Sequence, residues 1–316
     1  MKKLLAALLA GGLMIIPAAH AQDKEGEAAS PSPQAAAPAP SESEVTSNVA
    51  GDEAAAEEGE HETPHYPLKR PAELAWTFAG PFGHWDLQQL QRGYKVYKEV
   101  CAACHSMELV AFRNLEALGY SEDQVKAIAG DYTVTDGPNG DGDMFERPAI
   151  PSDHFPSPFA NPEAAAAANN GAAPPDLSLI AKARAVERGF PRFVFDTVTQ
   201  YQEAGPDYIH ALLTGYGQNP PPGTVIQPGT HFNPYFIGGP ALAMPPPLSA
   251  DAVTYDDGTP GTVDQYARDV SSFLMWAAEP HLVERKATGF VVMLYLLIFA
   301  ALVYLVKKRV WANTPH

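Results

Sequence analysis

Residues 101–105 of this chain read Cys101-Ala102-Ala103-Cys104-His105, and they contain both of its cysteines. Two cysteines separated by two residues and followed at once by histidine form the pattern to which a c-type haem is attached. A zinc site would need further cysteine or histidine ligands at compatible spacing, and the chain has no other cysteine. A thioredoxin-like pair would not need the histidine and would favour a βαβ setting. The stretch therefore predicts one covalently bound haem c, with thioether bonds to Cys101 and Cys104 and with His105 as an iron ligand.

The first 21 residues have the features of an export signal. Met1-Lys2-Lys3 is a basic start, residues 4–16 are an apolar run, and Ala19-His20-Ala21 provides the small residues of a cleavage site. An uncleaved anchor is the alternative, but glycines and a proline interrupt the apolar run. We therefore expect residues 1–21 to be a cleaved signal peptide and the haem domain to lie in the periplasm of a bacterium.

A second apolar segment lies near the other end of the chain. Residues 288–306 contain no charged side chain and are about as long as a helix that crosses a bilayer. Lys307-Lys308-Arg309 follow directly, as basic residues do on the cytoplasmic side of a membrane span. A buried core helix is the alternative. The sequence predicts a junction at 281–287, a single inner-membrane anchor helix at 288–306 and a cytoplasmic tail at 307–316.

Residues 22–65 form an acidic arm rich in alanine, proline and glutamate. It contains eleven Asp and Glu residues against one Lys, a composition that predicts disorder because too little apolar surface is available for burial. The whole chain has a formal net charge of −16, which argues against nucleic acid as a partner. The arm is either a solvated spacer or an element that steers a basic partner.

Residues 66–280 are long enough for one domain. Asp86 is a candidate N-cap of a helix whose apolar stripe continues into the haem motif. The stripe consists of Leu87, Leu90, Tyr94, Tyr97, Cys101 and Cys104. Thr262 and Gln265 have capping-box spacing at the start of a second helix, which Pro280 ends.

The segment between these two helices is rich in proline and glycine. Short helices are predicted at Pro162–Asn169 and Tyr208–Gly215, and strand signals are weak. The fold class we expect is mainly α: a c-type cytochrome domain with long loops around one haem, plus one C-terminal transmembrane helix.

An electron-carrying haem needs a second axial ligand, and methionine is the ligand that raises the reduction potential. Met244 lies in residues 238–248, where prolines restrict the backbone and glycines allow close approach to the porphyrin. Met144 belongs to an Asp- and Gly-rich loop at 136–143, which lacks the spacing of a calcium-binding loop. We predict Met244 as the ligand.

The other methionines and the histidines are weaker candidates. Met107 is too close to His105 to reach the opposite haem face, and Met275 falls outside the apolar stripe of its helix. Three histidines lack a comparably rigid frame and are expected to be surface or core residues: His154, His210 and His231.

The combination resembles the cytochrome c1 family, the haem-bearing, membrane-anchored subunits of ubiquinol–cytochrome c reductase (cytochrome bc1) complexes, in its bacterial type. The resemblance covers nearly all of residues 76–316. Besides the haem motif it is carried by Arg92-Gly93-Tyr94, Asn161-Pro162-Glu163, Asn169-Asn170-Gly171, Pro174-Pro175-Asp176-Leu177-Ser178, Lys182-Ala183-Arg184, Leu212-Leu213-Thr214-Gly215-Tyr216, Asn233-Pro234-Tyr235-Phe236, Ala243-Met244-Pro245-Pro246 and Asp256-Asp257-Gly258-Thr259-Pro260.

The resemblance implies a set of haem contacts. Thioether attachment falls on Cys101 and Cys104, and iron ligation on His105 and Met244. Arg184 would bond a haem propionate, and Tyr208 would lie near the haem. Residues 185–206 look like an insertion of the kind found in bacterial members, and the acidic arm is not a family-wide feature.

The function implied is one-electron relay from a Rieske iron–sulfur protein to a soluble or anchored cytochrome c. Cytochrome b, membrane lipid and a dimeric complex are the further partners implied. The chain would belong to an enzyme as an electron-transfer subunit without catalysis of its own. The alternatives are a free-standing membrane-anchored c-type cytochrome and the cytochrome subunit of a periplasmic dehydrogenase.

Overall fold

The computed structural model describes residues 68–186 and 188–314. The predicted signal peptide and acidic arm lie outside these residues. Two antiparallel strand pairs are formed, β1 (Thr133–Asp136) with β2 (Phe145–Pro148) and β3 (His231–Phe232) with β4 (Ala241–Leu242). The helices are α1 (Leu87–Glu99), α2 (Glu122–Gly130), α3 (Pro162–Ala168), α4 (Ile180–Ala183), α5 (Arg192–Thr199), α6 (Ala204–Thr214), α7 (Val263–Ala278) and α8 (Leu282–Val310). The mainly helical fold with a long C-terminal helix is thus confirmed.

Helix α1 begins where the sequence predicts and ends earlier than its apolar pattern suggests. The Asp86 carboxylate accepts hydrogen bonds from the backbone N–H groups of Gln88 (3.1 Å) and Gln89 (3.2 Å), which satisfies two free donors of the first turn. The helix ends at Glu99, and Cys101–Ala103 form a tighter 3-10 turn. The prediction that the cysteines continue the α-helical stripe is therefore wrong, because a 3-10 turn advances by a larger angle per residue.

Helices α1 and α7 cross in close contact at Gly93. A Cβ atom at this position would lie 2.2 Å from the carbonyl oxygen of Asp269 and 2.6 Å from the Cβ of Phe273, so the crossing has no room for a side chain. Beside it, Arg92 Nε donates to the fully buried Asp269 carboxylate at 2.9 Å. The glycine permits the approach and the charge-assisted hydrogen bond fixes its register.

Helix α7 lies at the centre of the domain, in contact with α1, α4 and α6. Thr262 caps it by accepting a hydrogen bond from the backbone N–H of Gln265 at 3.2 Å. In a full capping box the Gln265 side chain would bond back to the backbone N–H of Thr262. Here it instead donates to the Asp269 carboxylate at 2.9 Å. The sequence pattern suggests that only one stripe of α7 is buried. In the structure most residues from Tyr266 to Trp276 are buried, because neighbouring helices cover more than one face of α7.

The two predicted short helices are present as α3 and α6. Helix α6 starts at Ala204, four residues before the predicted Tyr208, although Gly205-Pro206 reads as a break. Proline is tolerated in a first turn, where its missing N–H has no intrahelical partner to lose. Gly205 lies against α4, where a Cβ would be 1.6 Å from the Ala181 carbonyl oxygen.

The core around α1 and α7 is largely aromatic. Phe155 lies near Phe112 (ring centroids 4.3 Å apart) and Tyr97 (6.0 Å, edge-on). Fully buried large side chains in this core include Phe78, Leu90, Met107, Leu115, Leu118, Tyr266, Phe273 and Trp276. Because this cluster surrounds α1, it holds the start of the haem motif in place.

Helix α8 is joined to the domain through charged residues in its first turns. The Lys286 ammonium group, 1% exposed, lies 2.6 Å from the buried Glu203 carboxylate and 3.1 Å from the Phe78 carbonyl oxygen. The Glu279 carboxylate, just before α8, accepts hydrogen bonds from Lys182 and Arg285. Residues 282–287, predicted as part of a junction, are therefore helical, and Leu282 and Lys286 among them are buried against the domain.

The remainder of α8 presents apolar side chains to its surroundings. An 18-residue window of this helix has a mean hydropathy of 2.7, and none of that window is buried in the rest of the chain. Within the described residues it is the one helix whose length and composition suit a membrane crossing. Its last turn contains the basic cluster Lys307-Lys308-Arg309.

Replacing Glu203 with alanine should destabilise the domain, because it leaves the Lys286 charge buried without a partner. Removing one member of a buried ion pair costs about 3–5 kcal/mol. The double variant Glu203→Leu/Lys286→Met should lose less, since no unpaired charge remains. Thermal unfolding of the detergent-solubilised chain measures both. Glu284→Ala, on an exposed pair with His281, is the matched control, and equal melting temperatures for E203A and E284A would contradict the assignment.

Candidate haem site

The haem motif is held in a single 3-10 turn at the end of α1. The Cys101 carbonyl accepts hydrogen bonds from the backbone N–H groups of Cys104 (3.1 Å) and His105 (2.9 Å). Cys101 is half-buried, Cys104 is exposed, and neither is in a disulfide. Both thiols are therefore available on one turn that leads directly into the histidine.

The His105 imidazole is oriented by a backbone carbonyl. Its Nδ1 lies 2.7 Å from the carbonyl oxygen of Pro175. A carbonyl can only accept, so Nδ1 carries the hydrogen and Nε2 keeps its lone pair for a metal ion. Burial lowers the pKa of His105 despite the hydrogen bond to Pro175, which favours the neutral ring that ligation requires.

Asp176 holds in place the segment that contains the Pro175 carbonyl. Its carboxylate accepts hydrogen bonds from the Ser106 hydroxyl, from the Glu108 backbone N–H and from the Ser178 backbone N–H, each at 2.8 Å. The Leu177 N–H also bonds to the Ser106 carbonyl at 2.9 Å. In the sequence, residues 174–178 are prominent only as a family motif, although an aspartate after two prolines is also a signal for a local bracing turn.

Met244 lies in the loop that follows β4. It is half-buried, and its backbone carbonyl accepts a hydrogen bond from the Tyr216 hydroxyl at 3.1 Å. The side chain of the fully buried Asn233, directly after β3, donates a hydrogen bond to the Leu212 carbonyl at 2.8 Å. It also accepts one from the backbone N–H of Tyr235 at 3.0 Å. Tyr216, just after α6, thus fastens the Met244 loop, and Asn233 fastens the segment after β3 to α6.

The other methionines occupy different environments. Met107 and Met275 are fully buried in the hydrophobic core, whereas Met144 is 60% exposed beside β2. The expectation that Met275 lies off the apolar surface of its helix is wrong, because several faces of α7 are covered. Its burial in the aliphatic and aromatic core is nevertheless the environment of a packing residue.

The three alternative histidines lie in local contacts away from the haem motif. His210 donates through Nε2 to the Asp264 carboxylate at 2.9 Å, a link between α6 and the start of α7. His154 is exposed and bridges to Ala111 through the backbone, and His231 belongs to β3.

Arg184 lies close enough to Tyr208 for its charge to act on the Tyr208 hydroxyl. Arg184 follows α4 directly, and its half-buried side chain makes no hydrogen bond or ion pair with the residues that the structure describes. Burial raises the pKa of the Tyr208 hydroxyl, and the nearby positive charge of Arg184 opposes that shift. The Tyr208 hydroxyl also accepts a hydrogen bond from the backbone N–H of Ile237 at 3.5 Å. Ile237 lies in the segment that leads to β4 and Met244.

The chemistry of these residues suits a covalently attached haem. They include two thiols on one turn, an imidazole whose Nδ1 is hydrogen-bonded and a methionine on a braced loop, together with a guanidinium that has no partner among the residues that the structure describes. Among the described residues, no group of three or more His, Cys, Asp or Glu side chains converges as a metal-ion cage would require. The chemistry of the residues therefore fits a haem with its own nitrogen ligands and acidic propionates.

A model of the cytochrome C1 family matches residues 76–314 of the chain. This match covers the haem motif, the Met244 loop and α8. The chain belongs to the cytochrome c1 family.

Curated relatives come from both bacteria and plants. A protein named cytochrome b/c1 from Bradyrhizobium diazoefficiens is 58% identical over 78% of this chain, which spans only 36% of that relative's length. Cytochrome c1 of Rhodospirillum rubrum is 45% identical over 76% of the chain and 87% of its own length. A mitochondrial cytochrome c1 haem protein of Arabidopsis thaliana is 47% identical, over 75% of this chain and 69% of its own.

Membership of the cytochrome c1 family confirms several sequence predictions. The cofactor is a c-type haem, as residues 101–105 predicted, and the chain is a membrane-anchored protein of electron transport. The apolar helix α8 is the anchor that fits this assignment. Zinc binding and thiol–disulfide exchange, weighed as alternatives for the two cysteines, are not the chemistry of this family.

Replacing Tyr216 with phenylalanine should loosen the Met244 loop, because the hydrogen bond to the Met244 carbonyl is lost. One such bond contributes about 1 kcal/mol, which corresponds to roughly a fivefold change in an equilibrium. We therefore expect an external ligand such as imidazole to bind the ferric protein about fivefold more tightly. Optical titration measures this affinity. Tyr295→Phe, on the membrane-facing part of α8, is the control, and identical titration curves for the two variants would contradict the role of Tyr216.

Proposed function

We propose that this chain is the electron-relay subunit of a ubiquinol–cytochrome c reductase complex. It receives single electrons from a Rieske iron–sulfur protein and passes them to a c-type cytochrome. The observation that carries the proposal is the His105 ring, whose Nδ1 is fixed on Pro175 and whose Nε2 is left free, in a chain matched to the cytochrome c1 family over residues 76–314.

Four residues of the chain hold the cofactor in this proposal. Cys101 and Cys104 would form the thioether bonds, and His105 and Met244 would bind the iron. When bound, the haem supplies a one-electron ferric–ferrous couple. The Pro175 carbonyl fixes the tautomer and plane of the His105 ring, and Tyr216 restrains the loop that presents the Met244 sulfur.

Arg184 is the proposed partner of a haem propionate. The half-buried Arg184 guanidinium has no acceptor among residues 68–186 and 188–314, and a carboxylate could accept two parallel hydrogen bonds from it. Tyr208 lies beside Arg184 and also bonds the loop before Met244. These two residues would fix the haem edge between α4 and the Met244 loop.

The partners follow from the same family assignment. One relative is named cytochrome b/c1, and this chain matches only 36% of its length, which supports cytochrome b as a neighbouring subunit. The basic residues at the end of α8 support an orientation with the C-terminus in the cytoplasm and the haem domain in the periplasm. A single pass through the bacterial inner membrane and a dimeric complex complete the proposal.

The way α8 joins the domain favours a complex subunit over a free-standing carrier. A mobile carrier would need a flexible tether, whereas Lys286 is buried against Glu203 and the Trp85 indole donates to the Pro280 carbonyl at 3.2 Å. These contacts hold the head domain in a fixed position on α8. Such fixation suits electron transfer between subunits, because transfer requires a set distance between cofactors.

Replacing Met244 with leucine should lower the reduction potential, because the thioether that favours the ferrous state is removed. We expect a fall of more than about 59 mV, which is a tenfold change in the one-electron equilibrium. Redox titration of the purified protein measures it. Met144→Leu, at an exposed methionine, should leave the potential unchanged. An unchanged potential in M244L would assign the ligand elsewhere.

Purification under mild detergent tests membership of the complex. We expect the chain to co-purify with cytochrome b and an iron–sulfur protein, and the preparation to reduce cytochrome c with a quinol as electron donor. Removal of the iron–sulfur protein should abolish this activity while the haem spectrum is retained. Recovery of the chain alone, loaded with haem and active as a carrier, would contradict the proposal.

A further inference from the structure

A group of phenylalanines is exposed on the inserted segment that contains α5. Phe190 is 83% exposed, Phe193 55% and Phe195 63%, and the rings of Phe190 and Phe193 lie 6.2 Å apart. Single exposed apolar side chains are common on protein surfaces, but several large ones on one short segment mark a contact surface.

This segment borders α8 at the level where the predicted membrane span begins. Gln200 follows α5, and its Nε2 lies 3.2 Å from the position that a Cβ on Gly289 would occupy. Gly289 is the second residue of the uncharged stretch 288–306. The end of α5 therefore touches the anchor helix near its entry into the bilayer.

Another exposed phenylalanine, outside the α5 segment, contacts α8 at the residue after Gly289. Phe82 is 78% exposed, and its ring meets that of Phe290 edge-on with centroids 5.0 Å apart. Phe290 is adjacent to Gly289, so the contact of Phe82 and the contact of Gln200 reach neighbouring positions on the helix. We call Phe82, Phe190, Phe193 and Phe195 the phenylalanine patch.

The segment is held firmly on the side that faces the domain. The Arg188 guanidinium lies over the Tyr201 ring at 4.0 Å and 3.2 Å from the Asp196 carboxylate. The Tyr201 hydroxyl donates to the buried Asp207 at 2.8 Å. The exposed phenylalanines therefore belong to a segment that is braced against the domain.

We propose that the phenylalanine patch is a second membrane contact, which lies in the interfacial layer of the phospholipid bilayer next to α8. The patch is continuous with the helix that crosses the membrane, and aromatic side chains are enriched at membrane–water interfaces. A short amphipathic helix places its apolar side in the layer between headgroups and acyl chains. With α8 alone the head domain could tilt toward or away from the membrane surface, and a second contact on the lipid restricts that tilt.

Spin-label accessibility in phospholipid nanodiscs tests the proposal on the full, haem-loaded chain. Thioether attachment of the haem consumes both native thiols, so Phe195→Cys provides one site for a nitroxide label. Asp123→Cys, on α2 with a 96% exposed side chain, is the aqueous control. We expect the ratio of collisions with oxygen to collisions with a water-soluble nickel chelate to be several-fold higher at position 195 than at position 123.

Two results would overturn the proposal. Equal ratios at the two positions would mean that the patch faces water. Shielding of position 195 from both reagents in the intact complex, with full access to the nickel chelate in the isolated chain in nanodiscs, would assign the patch to a protein neighbour. Phe190→Cys provides an independent second site, and the haem absorption spectrum shows that each variant is folded.

Discussion

The close crossing of α1 and α7 at Gly93 is the constraint on which the haem site depends. Because the backbones approach without an intervening side chain, α1 lies deep in the aromatic core and Arg92 reaches the buried Asp269. The end of α1 is thereby fixed, and the 3-10 turn that follows presents both thiols and His105 from a rigid base. A larger residue at this position would displace α1 and with it the whole haem motif.

The proposed ligand residues are held by hydrogen bonds to parts of the chain that are distant in sequence. Pro175 orients the His105 ring, and Asp176 ties the same segment to the backbone after the motif. At the other end Tyr216 holds the carbonyl of Met244. Each proposed ligand is thus positioned by a residue outside its own segment, which is how a protein with long loops can maintain a defined ligand geometry.

The sequence was informative wherever a local rule decides the structure. The cap at Asp86, the start of α7 after Thr262 and the apolar length of α8 are local signals, and the structure contains all three elements. The errors arose where packing overrides local pattern. The stripe that was expected to include Cys101 and Cys104 ends at a 3-10 turn, and α6 starts before Tyr208 because Gly205 is needed at the contact with α4.

By itself the sequence determined the cofactor, since two cysteines and a histidine at fixed spacing are the pattern of covalent haem attachment. The further motifs between residues 92 and 260 determined the family. It also determined the membrane helix, because length and the absence of charge are properties of one continuous segment. Only the tertiary structure decided which carbonyl orients His105, which hydroxyl restrains Met244 and how Lys286 joins α8 to the domain. These contacts join residues far apart in the chain, and no local propensity specifies which distant partner a polar group meets when it is buried.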